Sequence, residues 1–426
     1  WDVVCGTWEG DSPPSRFAPE NVHEPYIEFV KSVTTKPVVG VGRFTSPDTM
    51  ASLIKRGVLD MIGATRPSIA DPFIPKKIEQ GRVEDIRECI GCNICVSGQF
   101  LSVNYRCTQN PTAGEEWRRG WHPEEIAAKG SNDTVLVVVS GPAGLEAARA
   151  LGERGYQVTL AEAKTELGGR VTRESRLPGL AEWARVRDWR VTQLNKLSNV
   201  EIYLDSELSA DHVRDFGYQH VVLATGARWR ADGVGRIHND PIPGIDSANV
   251  FSPDDVMDGQ IPKGPVVVFD DDHYYMGNMI AEVLRKTGCE VTIVTPAANI
   301  ASWTENTLEL ERVAEHMHAM GVNMITHHNL INISSDAVTV SHIYTRVAQT
   351  LAANAVVLVT ARLPVDALYY ELLGTLDGCS VKTISRIGDC LAPAAIVHAT
   401  FAGHRYAREL DTSDAQRQFL HEFPGV

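Results

Sequence analysis

The sequence predicts an α/β chain with parallel strands, and three observations lead there. Residues 1–70 alternate short apolar runs with helical stretches. From residue 134 the chain reads T-V-L-V-V-V-S-G-P-A-G-L-E-A-A-R-A-L, a hydrophobic strand, a Gly/Pro turn and an alanine-rich helix, which is how a nucleotide-binding βαβ unit opens. A second opening of that kind follows at G264-P-V-V-V-F-D-D-D-H-Y-Y-M-G-N-M-I-A-E-V-L. Strand and helix in alternation place successive strands parallel, because each helix carries the chain back to the same end of the sheet.

In order, W1-D-V-V reads as a strand, a helix is expected near Glu24 to Val33, a strand within Pro37–Arg43, a helix near Asp48 to Arg56, and a strand at L59-D-M-I. Residues 71–130 hold a cysteine loop and a Trp/Arg-rich connector. The Gly/Pro/Asp-rich stretch 231–263 reads as an interdomain connection, and the tail returns to the first nucleotide unit. Four segments follow: 1–80 as the C-terminal part of a (β/α)8 barrel, 81–130 as a metal-cluster segment, 131–245 plus 385–426 as one Rossmann-like domain, and 246–384 as a second. The barrel reading rests on two strand ends, Gly42-Arg43 and Ala64-Thr65-Arg66, because the loops after a barrel's last strands commonly hold a phosphate. Arginines that merely pair with surface carboxylates would look the same.

Composition narrows the function. A chain of 426 residues exceeds one core at roughly 150 residues per domain. Its net charge of −14 argues against nucleic acid and anionic membrane surfaces as partners. Apolar runs such as Val135–Val139 and Ala355–Val359 fall far short of the roughly 18 residues of a membrane span and read as buried strands. Cys5, Cys289, Cys379 and Cys390 are scattered and make no disulfide framework, so a reducing, cytoplasmic compartment is expected. The chain opens on Trp1 without methionine and with no element before its first strand, which reads as a piece of a longer protein.

Cys89, Cys92 and Cys95 recur at every third residue, and Cys107 completes a quartet. Three thiolates on one loop and a fourth from a nearby segment are the ligation of a 4Fe-4S cluster, with Gly91 letting the backbone curl. Structural zinc is the alternative, although it more often uses two paired C-x₂-C units. Trp8 and Asp11 follow the opening strand. An indole face attracts an alkylammonium by roughly 0.5–2 kcal/mol, and a carboxylate can anchor or deprotonate an amine. A packing tryptophan and a solvated aspartate are the plainer reading. The first nucleotide loop departs from G-x-G-x-x-G, with Val139 at the first glycine position but Gly141 and Gly144 retained and Glu162 placed for a ribose hydroxyl. The second carries Asp270, Asp271 and Asp272 where a pyrophosphate would need bare N–H groups.

With these parts in this order, the chain resembles the trimethylamine, dimethylamine and histamine dehydrogenase family over nearly its whole length. The stretches that carry the likeness are P14-S-R-F, P37-V-V-G-V-G-R, R66-P-S-I-A-D-P-F, C89-I-G-C-N-I-C, C107-T-Q-N-P-T-A-G-E-E-W-R-R-G-W-H-P, L223-A-T-G-A-R-W and I387-G-D-C. Old yellow enzyme and 2,4-dienoyl-CoA reductase are wider relatives. The resemblance implies an FMN barrel, a 4Fe-4S cluster and a bound ADP. It assigns Cys89, Cys92, Cys95 and Cys107 to the cluster, with one residue fewer before the last than in the trimethylamine enzyme. Arg66, with Gly42, Arg43, Ala64 and Thr65 around it, falls to the FMN phosphate; Gly141, Gly144 and Glu162 fall to the adenine nucleotide; Trp8 and Asp11 fall to the substrate. Gln99 stands where the trimethylamine enzyme has a tryptophan wall, which favours an amine carrying an N–H, such as dimethylamine or histamine. The family's flavin-linking cysteine, its Tyr/His pair and the barrel's first half have no counterpart in the sequence.

The implied activity is oxidation of a small amine to an aldehyde or ketone plus a smaller amine or ammonia. Electrons would pass from FMN through the cluster to an acceptor such as an electron-transferring flavoprotein, in a homodimer. Two other readings stay open: an NAD(P)H-dependent 2,4-dienoyl-CoA or enoate reductase, and a non-catalytic electron-transfer fragment.

Overall fold

The computed structural model describes residues 1–118, 120–247, 249–374 and 379–412. They form two compact units: Trp1–Ser175 with Glu182–Gly226 and the chain from Pro364 on, and Arg176–Ala181 with Ala227–Leu363.

The first unit begins with three short parallel strands, Asp2–Val3, Val39–Gly40 and Met61–Ile62, hydrogen-bonded in that order. Ile27, Val30, Val38, Phe44, Leu53 and Leu59 pack beneath them. The helix expected near Glu24 to Val33 is two, Glu24–Ile27 and Val30–Val33. The break has a local cause: Ser32 takes the Phe29 carbonyl with both its N–H (2.9 Å) and its hydroxyl (2.6 Å), which interrupts the i→i+4 ladder. Helix Pro47–Lys55 starts cleanly, because Ser46 accepts from the Thr49 N–H and Pro47 needs no partner for its nitrogen.

The same unit holds a five-stranded parallel sheet in the order Thr383–Arg386, His220–Leu223, Thr134–Val138, Gln157–Ala161, Val200–Tyr203. Its central strands are buried on both faces, which is why they read as unbroken apolar runs rather than alternating ones. Helices Pro142–Arg154 and Ile396–Glu409 cover one face and touch backbone to backbone at Gly403, where any Cβ would collide with the Ala143 carbonyl.

The second unit has its own five-stranded parallel sheet, in the order Asn323–Ile325, Val291–Val294, Val266–Asp270, Ala355–Val359, Val250–Phe251. The stretch 231–263 is therefore not plain connection. It supplies an edge strand and helix Pro253–Met257, which Ser252 and Asp255 close with a reciprocal capping box. An antiparallel sheet, His328–Ile333, Ala337–His342 and Ala348–Ala352, completes this unit; the sequence reading did not foresee it. No described helix is long and apolar enough to cross a membrane.

Candidate functional site

The cysteine loop is held from three directions. Ser15 donates its N–H to the Gly91 carbonyl (3.0 Å) and its hydroxyl to the Ile90 carbonyl (2.7 Å). Gly91 itself sits at φ +61, where a Cβ would fall 2.8 Å from Ser15, so only glycine fits the curl. Asn93, at φ +55, donates to the Ser12 carbonyl at 2.8 Å, and Arg66 donates to Asn93 Oδ1 at 2.5 Å and to the Pro13 carbonyl at 3.1 Å. From the far side, Gln109 Nε2 donates to the Glu88 carbonyl at 2.9 Å and so joins the Cys107 segment to the Cys89 loop. Arg190, fully buried, clamps Gln109 through its Oε1 and backbone carbonyl, each at 3.1 Å.

These ties bring Cys89, Cys92, Cys95 and Cys107 together. Burial pushes the Cys92 thiol up to about 12 and the Cys107 thiol up to about 11. Burial first, then the neighbouring Cys107, Cys89 and Cys92, drives Cys95 well above the ordinary thiol range. Burial thus works against the thiolate form at Cys92, Cys95 and Cys107 unless a positive centre balances it. Cys92 Sγ also lies 3.3 Å from the Thr108 hydroxyl.

The two strand-end arginines have separate fates. Arg43, at φ +59, turns its buried guanidinium to Glu182 (2.7 and 2.9 Å) and to the Ala18 carbonyl (3.0 Å), the carboxylate pairing weighed from the sequence. Arg66 belongs to the cysteine loop. Ala64 precedes helix Thr65–Ala70, whose first turn has no side-chain cap. Asp11 accepts the Cys5 N–H and ends the short helix that begins at Trp8. Trp8 stacks on Phe100 at 5.2 Å and 24°, while Gln99 is exposed; Phe100 has no sequence signal that marks it as the partner of Trp8. Cys5, Asp11 and His23 present donor atoms within 4.8 Å of one another, the one such trio among the described residues. His23 is already committed, its ring nitrogens facing the Gly10 (2.9 Å) and Val41 (3.0 Å) carbonyls.

At the first nucleotide loop Val139 takes φ +75, a strained conformation for a β-branched residue. Gly141 opens helix Pro142–Arg154 with no Cβ contact closer than 3.9 Å, so a ligand backbone could approach it. Glu162 accepts from the Ser140 N–H (2.9 Å), the Ser140 hydroxyl (2.7 Å) and the Lys164 N–H (3.0 Å). It braces the loop. Gly168 and Gly169, unremarked in the sequence, lie against this turn, Gly168 N–H donating to the Ser140 carbonyl at 3.0 Å. Their adjacent glycines were the signal available. In the second unit Asp271 accepts from the Arg236 (2.5 Å) and Ile237 (3.0 Å) N–H groups, so the turn where a nucleotide phosphate would sit is filled by the chain's own contacts.

Parallel five-stranded sheets, each with a glycine or aspartate turn leading from a buried strand into a helix, define a nucleotide-binding oxidoreductase scaffold. The chain belongs to the pyridine nucleotide-disulphide oxidoreductase family, which residues 133–403 match. Residues 8–85 match the NADH:flavin oxidoreductase / NADH oxidase family. Dimethylamine dehydrogenase of Hyphomicrobium sp. (strain x) is 40% identical over 98% of this chain and 61% of that protein. Histamine dehydrogenase from Rhizobium sp. 4-9 superposes with a TM-score of 0.96 at 50% identity, over 98% of this chain and 62% of that one. A 6-hydroxypseudooxynicotine amine oxidase from Pseudomonas geniculata N1 gives 0.95 at 50% identity, over 97% and 62%. The chain thus spans about three fifths of the relatives it matches.

Proposed function

We propose that the full-length protein is an iron–sulfur flavoprotein amine dehydrogenase acting on a small amine, dimethylamine, histamine or a similar one. One observation carries this: a loop bearing buried Cys89 and half-buried Cys92 and Cys95 is tied to the segment of half-buried Cys107, in a chain 40% identical to a dimethylamine dehydrogenase. Three cysteines on one loop with a fourth from a nearby segment suit a multi-iron centre, whereas structural zinc more often uses two paired C-x₂-C units. Cys89, Cys92, Cys95 and Cys107 would hold a 4Fe-4S cluster. Gly42, Arg43, Ala64, Thr65 and Arg66 would line the FMN phosphate, as the end of a (β/α)8 barrel, with the first turn of helix Thr65–Ala70 offering uncapped N–H groups. Arg43 would do so through its backbone, since Glu182 holds its guanidinium. Gly141 and Gly144 would admit ADP, with Glu162 as brace or ribose partner.

Bound, FMN would supply a two-electron acceptor for the amine and the cluster a one-electron carrier, while ADP would have no redox part. The chain's own residues do the rest. Asp11, fixed by the Cys5 N–H, orients or deprotonates the amine nitrogen, and the Trp8 face attracts its cationic form. Water then releases the carbonyl product. An electron-transferring flavoprotein-like acceptor, a homodimer and a cytoplasmic setting complete the proposal. In the full-length protein, Cys92→Ala should leave substrate bleaching of the flavin in place while turnover with the acceptor stops. Surviving acceptor turnover would refute the reading.

A further inference from the structure

Arg87 stands two residues before Cys89 and is 2% exposed. Its Nε and Nη1 meet no hydrogen-bond acceptor among the described residues, and no ion pair forms to it there. The carboxylates around it are engaged elsewhere. Asp71 accepts Lys77 Nζ at 2.7 Å and meets Arg87 only at the backbone N–H, 2.9 Å away; Glu88 pairs with Arg185 at 2.8 Å; Glu146 is taken by Arg149, Arg190 and His404. What Arg87 does contact is the Trp189 ring, 4.4 Å from its Cζ, a ring also approached by Arg149 at 5.2 Å and Arg190 at 5.7 Å. Three guanidiniums thus surround one indole beside the cysteine quartet, and the charge of Arg87 reaches Cys107.

A buried cation without a counter-ion is strongly unfavourable, and one cation–π contact does not offset its lost hydration. The missing negative charge is next door. A cluster ligated by four thiolates is net negative and gains one more negative charge on reduction. We propose that Arg87 is the buried counter-cation of the iron–sulfur centre, donating Nε–H and Nη1–H toward cluster-bound sulfur and favouring the reduced state, so that the centre draws electrons from the flavin. This rests on reading the quartet as a cluster.

The test is an EPR-monitored redox titration of the full-length enzyme. Arg87→Gln, at wild-type iron content, is expected to move the midpoint to more negative potential, lowering the reduced-to-oxidised ratio at a fixed poise about tenfold or more, with Arg87→Lys falling between. An unmoved midpoint in Arg87→Gln overturns the proposal. Where that variant fails to hold iron, the wild-type enzyme labelled with heavy-nitrogen arginine decides: pulsed EPR of the reduced centre should show an arginine nitrogen coupling, and its absence overturns the proposal. Wild-type protein that holds no iron would instead sink the cluster reading itself.

Discussion

The Val139 carbonyl oxygen occupies the space that a Cβ on residue 144 would need. The turn and the helix that follows it are therefore packed to the limit that glycine allows, and Gly144→Ala must push them apart. A cost of about 3 kcal/mol or more is expected, read as a lower melting temperature. Val139 poses the opposite case. Its φ of +75 suits glycine, so Val139→Gly trades lost apolar burial against relieved strain. Val137, fully buried in the regular strand, has no strain to relieve. Val137→Gly should therefore destabilise by about 2 kcal/mol more than Val139→Gly, and equal losses would show that the valine at this turn is unstrained.

That turn shows how far the sequence could be read. Val139 announces itself as a wrong residue in a familiar spacing, and the backbone carries the consequence. The cysteine spacing announces a four-thiol site in the same way, because three ligands fall on one loop. What encloses them was not legible. Gln109, Arg190 and Arg87 are polar residues with no periodic signature, and they acquire meaning only when distant segments meet. Glu182 could not be matched with Arg43 across 139 residues of sequence for the same reason. The antiparallel sheet was missed because strands such as Ala348–Ala352 are exposed and lack strong alternation.

A second prediction concerns His404, buried between Glu146 and Arg408. Arg408 donates to its Nε2 at 2.8 Å, which leaves Nδ1–H to donate to Glu146 at 2.9 Å and fixes a neutral ring. Burial, with Arg408 and Arg149 nearby, holds its value down at about 4, although Glu146 pulls the other way. The unfolded chain, near 6.5, takes the proton first. The stability this ring contributes is therefore complete above roughly pH 6.5 and lost as pH falls toward 4. Glu146 is held well below the ordinary carboxylate range despite its burial, by Arg149, Arg190 and His404, so its own contribution persists until still lower pH. His404→Asn keeps a donor and an acceptor but cannot titrate. Between pH 6.5 and 4.5 its stability should fall less steeply than wild type, by a slope approaching 1.4 kcal/mol per pH unit. Parallel slopes in denaturant titrations across that window would count against the buried neutral imidazole.

The third prediction separates the two nucleotide-shaped units by charge. Asp270 ends a fully buried strand, accepts the His273 N–H at 3.0 Å, and is pushed up to about 7 by burial and then by Asp272. Here the sign reverses: the folded protein holds the proton more tightly than the unfolded chain, whose value is near 3.9. The stability is present below about pH 4 and lost as pH rises through 7. Asp270→Asn, neutral throughout, should be more stable than wild type at pH 8 by more than about 1 kcal/mol, with the gap closing toward pH 4. The same substitution should not restore pyridine nucleotide binding, because Asp271 still occupies the turn through the Arg236 and Ile237 N–H groups. Melting curves at the two pH values check the first part, and NADPH titration of the full-length protein checks the second. Steady NADPH oxidation by the wild-type enzyme would revive the reductase reading and remove the amine dehydrogenase from first place.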